Sequence, residues 1–413
     1  MKAYSEEIIF QNDGFMNVRH LTLSGTQIEI GNQLTEIARK RHGFTSAAIQ
    51  SFHPVLTRAR RQYFLHSYPL HLERARGVAQ ALGIDPLDDA YDPTDIAYNQ
   101  GVPHPGCSVV YYPPQTTQPR KGYVSSNYDF PTGSLSEIMG IPVSSGNNTH
   151  PVMGDPYILE MYPEGGGYNS LSMISFELLS GVLQGINSEG LMVSILGDET
   201  APMDPVAITR PYQRIGLHEL QGMRLILDTC ATATEAQMAL LVHKHYFAFM
   251  PCHYIIADEG GNSFVFEHSH TRNEEYIIQG TDTPFVVTNH LLHEYPSVDT
   301  FPKNISFLER GTSSFERYYR LHEILQEKSG PYSTDFMKET NESVSVSHVV
   351  SWLGDDIRES VVQSPGLART LWHNLICSHD RSMEIKFYTG EIPGEKGKFT
   401  EEYTDYFTIT LNE

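Results

Sequence analysis

Cysteine, tryptophan and basic charge are what this 413-residue chain has least of: 4 Cys, 2 Trp, and 29 Lys plus Arg against 50 Asp plus Glu. The cysteines, Cys107, Cys230, Cys252 and Cys377, lie far apart and form no Cys-x-x-Cys pair, which argues against a disulfide scaffold and a zinc knuckle. A formal net charge of −21 sets nucleic acid and anionic membranes against general repulsion, so neither is expected as a partner. No stretch approaches ~18 continuous apolar residues, and the opening Met1-Lys2-Ala3-Tyr4-Ser5-Glu6-Glu7 has no apolar signal-peptide core. A cytoplasmic protein without a membrane span is therefore expected. The 19 histidines invite a metal, yet pairs such as His218 and His253, or His268 and His270, lack the spacing of structural zinc sites.

What is present is ample apolar matter, 40% of the residues, enough for one large core or two ordinary domains. The chain changes texture near residue 106. Before it, a strand around 18–23 and a short helix at about 31–41 precede a helical stripe from Val55 to Ile84 (Leu56, Ala59, Tyr63, Phe64, Leu70, Leu72, Ala75, Val78, Ala79, Leu82), which Pro69 divides and Gly83 ends. Residues 85–106, rich in Asp, Pro and Gly, read as an exposed linker of the kind that is cut. After it come strand-like runs at 107–112, 123–130, 157–162, 171–176, 191–196, 253–257, 263–267 and 285–288. Helical patterns at about 218–228, 234–244, 313–326 and 346–353 alternate with them. A layered mixed fold with a largely antiparallel sheet is expected. The Gly-, Ser- and Asn-rich stretch 131–170 reads as long loops, and its Gly165-Gly166-Gly167 lacks the strand-to-helix setting of a phosphate cradle.

The chemistry concentrates at Gly106-Cys107, which opens one strand and is followed after a turn by a second carrying Asn127-Tyr128-Asp129-Phe130. Were the chain cut before Cys107, the freed α-amine, with an ordinary pKa of about 7.7–8.0, would stand beside its own thiol as a base. Asn127 and Asp129, two apart on a strand, point to the same face.

Gly106-Cys107, Asn127-Tyr128-Asp129-Phe130, Gly185-Ile186-Asn187-Ser188-Glu189-Gly190-Leu191, Thr288-Asn289-His290 and Ser314-Phe315-Glu316-Arg317-Tyr318 resemble, in order and spacing, the N-terminal-nucleophile cysteine amidases. These include choloylglycine hydrolases, penicillin V acylases and acid ceramidase-like amidases. The upstream Leu23-Ser24-Gly25-Thr26-Gln27-Ile28-Glu29-Ile30-Gly31 and its helices are most similar to the isopenicillin N acyltransferase branch, peptidase family C45. The resemblance implies an α+β fold, a four-layer αββα sandwich of two antiparallel sheets, made as a precursor that cuts itself between Gly106 and Cys107. The mostly helical residues 1–106 would be a pro-segment or, after self-cleavage, an α chain packed on the 107–413 catalytic chain.

By the same resemblance, Cys107 is the nucleophile, forming an acyl-thioester with an N-acyl amide or acyl donor. Asp129 orients the α-amine, Asn289 offers its amide to the oxyanion, and Arg317 holds the geometry; no cofactor or metal is implied. Asn127, Tyr128, Gly197 and Asp198 are expected to wall the substrate site. Two positions depart from the bile-salt hydrolase pattern: Ser126 replaces an arginine, and Gly197-Asp198 stands where a second oxyanion asparagine falls, leaving open a backbone N–H near Gly197 as the second donor or no second donor at all. Cys230, Cys252 and Cys377 are expected to be inert core thiols. Two other readings stay open on the residues alone: an uncut hydrolase with internal Cys107 and His290 as base, and a non-catalytic small-molecule binder. Hydrolysis against acyl transfer is undecided, as is a homo-oligomer.

Overall fold

Punctuation by proline, glycine and capping residues sets the first elements. The computed structural model describes residues 4–12, 16–99, 106–139, 150–199, 214–269, 274–303, 312–362 and 367–412. Strands β1 (Tyr4–Asn12) and β2 (Met16–Thr26) form an antiparallel hairpin, and Thr26 and Glu29 cap each other to start α1 (Gln27–His42). The Val55–Ile84 stripe is divided as Pro69 requires, into α2 (Pro54–Ser67) and α3 (Pro69–Leu82), each with proline in its first turn. Helices α1 and α3 cross at bare backbone: a Cβ on Gly31 would meet the Arg74 carbonyl oxygen at 2.0 Å, and one on Gly77 that of Ile28 at 2.1 Å.

The body of the chain runs β3 (Gly106–Tyr112), β4 (Tyr123–Pro131), α4 (Leu135–Met139), β5 (Tyr157–Glu164), β6 (Ser170–Ile174), β7 (Val182–Asn187) and β8 (Met192–Gly197). There follow β9 (Leu217–His218), α5 (Glu219–Thr229), α6 (Ala233–Val242), β10 (His245–Tyr246), β11 (Cys252–Ala257), β12 (Ser263–Ser269), β13 (Glu274–Gln279) and β14 (Phe285–Val287). The last part holds α7 (Thr312–Glu327), α8 (Thr334–Glu342), α9 (Val346–Ser351), α10 (Asp355–Val362), β15 (Ala368–Cys377), β16 (Ser382–Pro393), β17 (Phe399–Tyr403) and β18 (Phe407–Thr410).

Two sheets result. The larger has the order β1-β2-β5-β6-β7-β8-β11-β12-β13, antiparallel except where β2 runs parallel to β5. The smaller has the order β14-β3-β4-β15-β16-β17, with β18 also on β16, and is antiparallel throughout. They face each other through β3 and β8, and Gln184 of β7 reaches across to donate to Ser126 Oγ at 2.9 Å and accept from Trp372 Nε1 at 3.4 Å. Helices α1, α5 and α6 contact the larger sheet and α7, α8 and α9 the smaller, giving the α+β sandwich of two largely antiparallel sheets. No helix among the described residues is long and apolar enough to cross a membrane.

Two expectations need correction. The opening segment is mostly helical as expected, but its helices follow two strands instead of one, and β1 and β2 are integral strands of the larger sheet. Residues 85–99 are only in part an exposed linker: Asp85, Leu87, Asp88 and Ala90 are exposed, but Pro93, Thr94, Asp95 and Ile96 are buried, and 100–105 lie outside the described residues. Buried charge holds this part down. Arg60 pairs with Asp92 at 2.9 Å and donates to Thr94 Oγ1 at 2.8 Å, and Asp95 accepts from Gln221 at 2.7 Å and pairs with His218 at 2.8 Å. Beside it Asp228 of α5 pairs with Arg74 of α3 at 2.6 Å and Arg224 at 3.1 Å, and accepts from the Tyr68 hydroxyl. Composition hid this, because Asp and Pro signal turns whether or not their carboxylates find arginines.

Candidate active site

Register puts the expected residues in one place. Strands β3 and β4 pair with Gly106 opposite Asp129, Cys107 opposite Tyr128 and Ser108 opposite Asn127. Alternation then sends the Cys107 and Tyr128 side chains to the inter-sheet face, and Ser108, Asn127 and Asp129 to the helical face. The thiol and the Asp129 carboxylate therefore lie on opposite sides of the hairpin and meet only at the Gly106–Cys107 backbone. Gly106 is needed there: a Cβ on it would stand 2.9 Å from both Cβ and Oδ2 of Asp129. The carboxylate occupies the space a side chain would take.

The backbone of Cys107 is held by side chains from distant elements. Its N–H donates to Asn289 Oδ1 at 2.7 Å, just beyond β14, the edge partner of β3. Its carbonyl accepts from Arg317 Nη1 of α7, which also donates to Ser108 Oγ at 2.8 Å, while Arg317 Nη2 donates to Asn289 Oδ1 at 2.7 Å. Asn289 Nδ2 donates to the Gly197 carbonyl at 2.6 Å. Two donors on Oδ1 and a carbonyl on Nδ2 fix which way the amide points.

Motif residues that resemble chemistry form the joint making this reach feasible. Ser314 Oγ lies 2.9 Å from both Thr288 Oγ1 and His290 Nδ1, docking α7 on the segment after β14, so Arg317 one turn on meets Asn289. Asn187 of the Gly185–Leu191 motif accepts from the N–H groups of Glu189 and Leu191 at 3.1 Å each, shaping the β7–β8 turn. It acts at the far end of β8 from Gly197.

Burial governs the proton affinities. It pushes the Cys107 thiol up to about 12, and the Asp129 carboxylate adds to this, while Arg317 and the backbone amides of Gly197 and Asp129 oppose it. Burial also raises Asp129 to about 6 against Arg317 and a hydrogen bond from Thr370. In the continuous chain the thiol is thus protonated at neutral pH, and Asp129 titrates near it.

Of the other expected residues, Gly197 is in the site, its carbonyl on Asn289 and its N–H at the thiol. Asp198 is buried with its N–H on the Pro251 carbonyl at 2.8 Å. The expectation that Asn127 and Tyr128 wall a substrate site does not match their surroundings. Asn127 is fully buried, its amide donating to the Asn341 carbonyl and its oxygen 2.7 Å from His373 Nδ1. Tyr128 lies stacked between Phe130 and Trp372. They pack the β3–β4 pair from opposite sides, Asn127 under the helices and Tyr128 toward the second sheet. Ser126 bonds Asn374 and Gln184, a neutral network where an arginine would need a counter-charge. His290 sits among Phe301, Phe315 and Tyr318, and burial lowers it to about 3. Its hydrogen bonds go to Thr288 and Ser314, a poor setting for a base on Cys107. Cys230, Cys252 and Cys377 are buried.

Sequence reasoning missed Ser108, Glu199, Asn341 and Thr370. Glu199 brings its carboxylate to 3.7 Å from Arg317 and its N–H to the Asn289 carbonyl at 2.8 Å. Asn341 donates to the Ser108 carbonyl at 3.2 Å, and Thr370 to Asp129 Oδ1 at 2.7 Å. Only adjacency to Cys107 and Gly197 could have singled out Ser108 and Glu199; Asn341 and Thr370 carry no local signal.

Among solved structures, a mutant conjugated bile acid hydrolase from Clostridium perfringens is 10% identical, over 74% of this chain and 97% of that one, with a TM-score of 0.43. Penicillin V acylase from Agrobacterium tumefaciens is 16% identical over 68% and 82%, with a TM-score of 0.42. The Caenorhabditis elegans ortholog of N-acylethanolamine-hydrolyzing acid amidase is 16% identical over 66% and 93%, with a TM-score of 0.38. No curated protein matches the sequence. A sequence profile of one family does, over residues 117–361, more than half of the chain: the protein belongs to the acyl-coenzyme A:6-aminopenicillanic acid acyl-transferase family.

Proposed function

We propose that the protein is a self-processing cysteine amidase or acyltransferase whose mature nucleophile is the N-terminal Cys107. The observation that carries this reading is the clamp on the Cys107 backbone, its N–H on Asn289 and its carbonyl on Arg317. A conventional cysteine hydrolase needs a base at the thiol; here the buried polar groups converge on the main chain of residue 107, where a freed α-amine would stand.

In the first step the Cys107 thiol adds to the Gly106 carbonyl carbon, the C–N bond breaks as the proton passes to the departing nitrogen, and Gly106 is left as a thioester on Sγ. Water then cleaves the thioester, giving the Gly106 carboxylate and a free thiol. Afterwards the Cys107 α-amine takes the thiol proton, as an ammonium held by Asn289 Oδ1 and the nearby Asp129. The thiolate attacks an amide or thioester carbonyl, and the oxyanion is met by Asn289 Nδ2 and the Gly197 N–H, each worth about 3 kcal/mol of transition-state stabilisation. The acyl-thioester passes to water or to an amine, so the substrate is a linear, non-peptide N-acyl amide or an acyl donor.

Residues 1–106 stay bound as the partner chain. Releasing them would expose the edge of β5 and leave Asp228 with one arginine instead of two.

Intact mass of the wild type beside Cys107→Ala, with N-terminal sequencing, tests this. Two co-purifying fragments in the wild type alone, the larger beginning at Cys107, are expected. An uncut wild type that turns over N-acyl amides would sink the α-amine base. Product analysis with and without an added amine separates hydrolysis from acyl transfer.

A further inference from the structure

Asp129 has no cation within direct hydrogen-bond reach among the described residues, and its carboxylate is aimed by a neutral group. Thr370 of β15 stands directly opposite it in the β4–β15 ladder, and the register slips between Thr370 and Trp372, leaving Leu371 as the extra residue of a bulge. Such a bulge re-aims the side chain beside it. The Thr370 hydroxyl oxygen accepts the Val346 N–H at 2.9 Å. Its own proton is thereby directed onward to Asp129 Oδ1 at 2.7 Å. With Oδ1 so held, Oδ2 is the oxygen beside Gly106.

The main chain of Thr370 is fixed in turn. Its N–H donates at 2.8 Å to Oε1 of Glu401 in β17, whose Oε2 accepts the Ser347 N–H at 3.2 Å. Glu401 is buried, 7% exposed, and thus ties β15, α9 and β17 together around one threonine. Charged or titratable groups face Asp129 from every side: Cys107 from β3, Arg317 from α7, and Glu401 and Tyr403 from β17.

We infer that Thr370 is a positioning residue for Asp129: its hydroxyl, oriented by the Val346 N–H and anchored through Glu401, turns one carboxylate oxygen toward the Gly106–Cys107 backbone and holds the group as the anion. The inference rests on the reading in which Asp129 orients the Cys107 α-amine. Its physical content is directional. A hydroxyl that donates to a carboxylate favours the charged form, so losing it moves the acid limb of any Asp129-dependent process to higher pH.

The test uses the full-length protein with two readouts across pH 5–9: the extent of Gly106–Cys107 cleavage by intact mass, and the rate of Cys107 alkylation by iodoacetamide, followed by peptide mapping. In Thr370→Val, which keeps the shape and loses the hydroxyl, the acid limb of both should move up by about half a pH unit or more, the equivalent of one neutral hydrogen bond. Rates at pH 6 should fall about two-fold or more. Thr370→Ala should show the same displacement and Thr370→Ser should restore the wild-type limb. A merely structural role would lower stability in all three and leave the limb in place, which overturns the inference, as does a serine variant shifted as far as the valine one. Asp129→Asn separates the two levels. If it is inactive while the Thr370 limb is unmoved, the positioning role falls and the mechanism stands; if it processes and reacts like wild type, the mechanism itself falls.

Discussion

Asp129 and Asp228 bring the same side chain to the same depth, 2% and 1% exposed, and are driven in opposite directions. Asp228 lies against Arg74, Arg224 and the Tyr68 hydroxyl, whose charges and hydrogen bonds outweigh desolvation and hold its carboxyl below the ordinary range. Asp129 has a threonine hydroxyl at 2.7 Å, feels Arg317 only at longer range, and is raised to about 6. Depth alone does not decide an aspartate's charge; the neighbours do. The two clusters divide the labour accordingly. Around Asp228 charge is neutralised to hold α3 against α5, and around Asp129 an uncompensated carboxylate is kept beside the bond proposed to break.

Stability should respond to pH with opposite signs at the two. Asp129, raised from 3.8 to about 6, adds stability that is full below pH 4 and is lost as pH rises through 6. Above that the buried anion costs about 3 kcal/mol, at about 1.4 kcal/mol per unit. Asp95, lowered to about 2 by His218 and Arg60, contributes stability present above pH 4 and lost as pH falls toward 2; Asp228 follows the same sign.

The comparison breaks most visibly at Arg74→Met, which strips Asp228 of its closest cation and should cost about 3–5 kcal/mol in urea denaturation at pH 7. A loss under about 1 kcal/mol would mean the cluster is not a lock. Arg317→Met removes the cation facing Asp129 and the donor to the Cys107 carbonyl. It should slow cleavage and turnover by about two to three orders of magnitude, equivalent to about 3–4 kcal/mol. Near-normal processing would show that the clamp is not catalytic.

Asp129→Asn sharpens the contrast because its two effects differ in sign. Folding stability at pH 7 should rise by up to about 3 kcal/mol as a buried anion is replaced by a neutral isostere, while processing is lost. A destabilised variant would place Asp129 with the structural aspartates. Gly106→Ala is the mildest, pressing a methyl on the Asp129 carboxylate at about 1–3 kcal/mol of strain. Uncut protein with near wild-type melting is expected, and efficient cleavage would mean that the carboxylate does not need its place against residue 106.

Legibility followed the range of the signal. Proline, glycine and capping residues act within a few positions, so α2, α3, α5 and the β3–β4 hairpin could be read at nearly their true bounds. Strands β1, β7, β9, β10, β13 and β15 to β18 leave no such mark, because their patterning becomes distinctive only once a neighbour covers one face. The same limit explains Thr370, an ordinary strand threonine until a bulge sets it against Asp129.

By itself the sequence determined helices α2, α3 and α5 and the β3–β4 hairpin, the glycine before the cysteine and the motif residues that identify the family, since these depend on backbone preference and residue type along one chain. Only the tertiary structure decided that residues 93–96 are buried, that Asn127 and Tyr128 face inward, and that thiol and carboxylate meet across a hairpin. Those outcomes depend on which charges and faces arrive from elsewhere. A carboxylate's proton affinity, like a strand's exposed face, belongs to the neighbours folding brings to it.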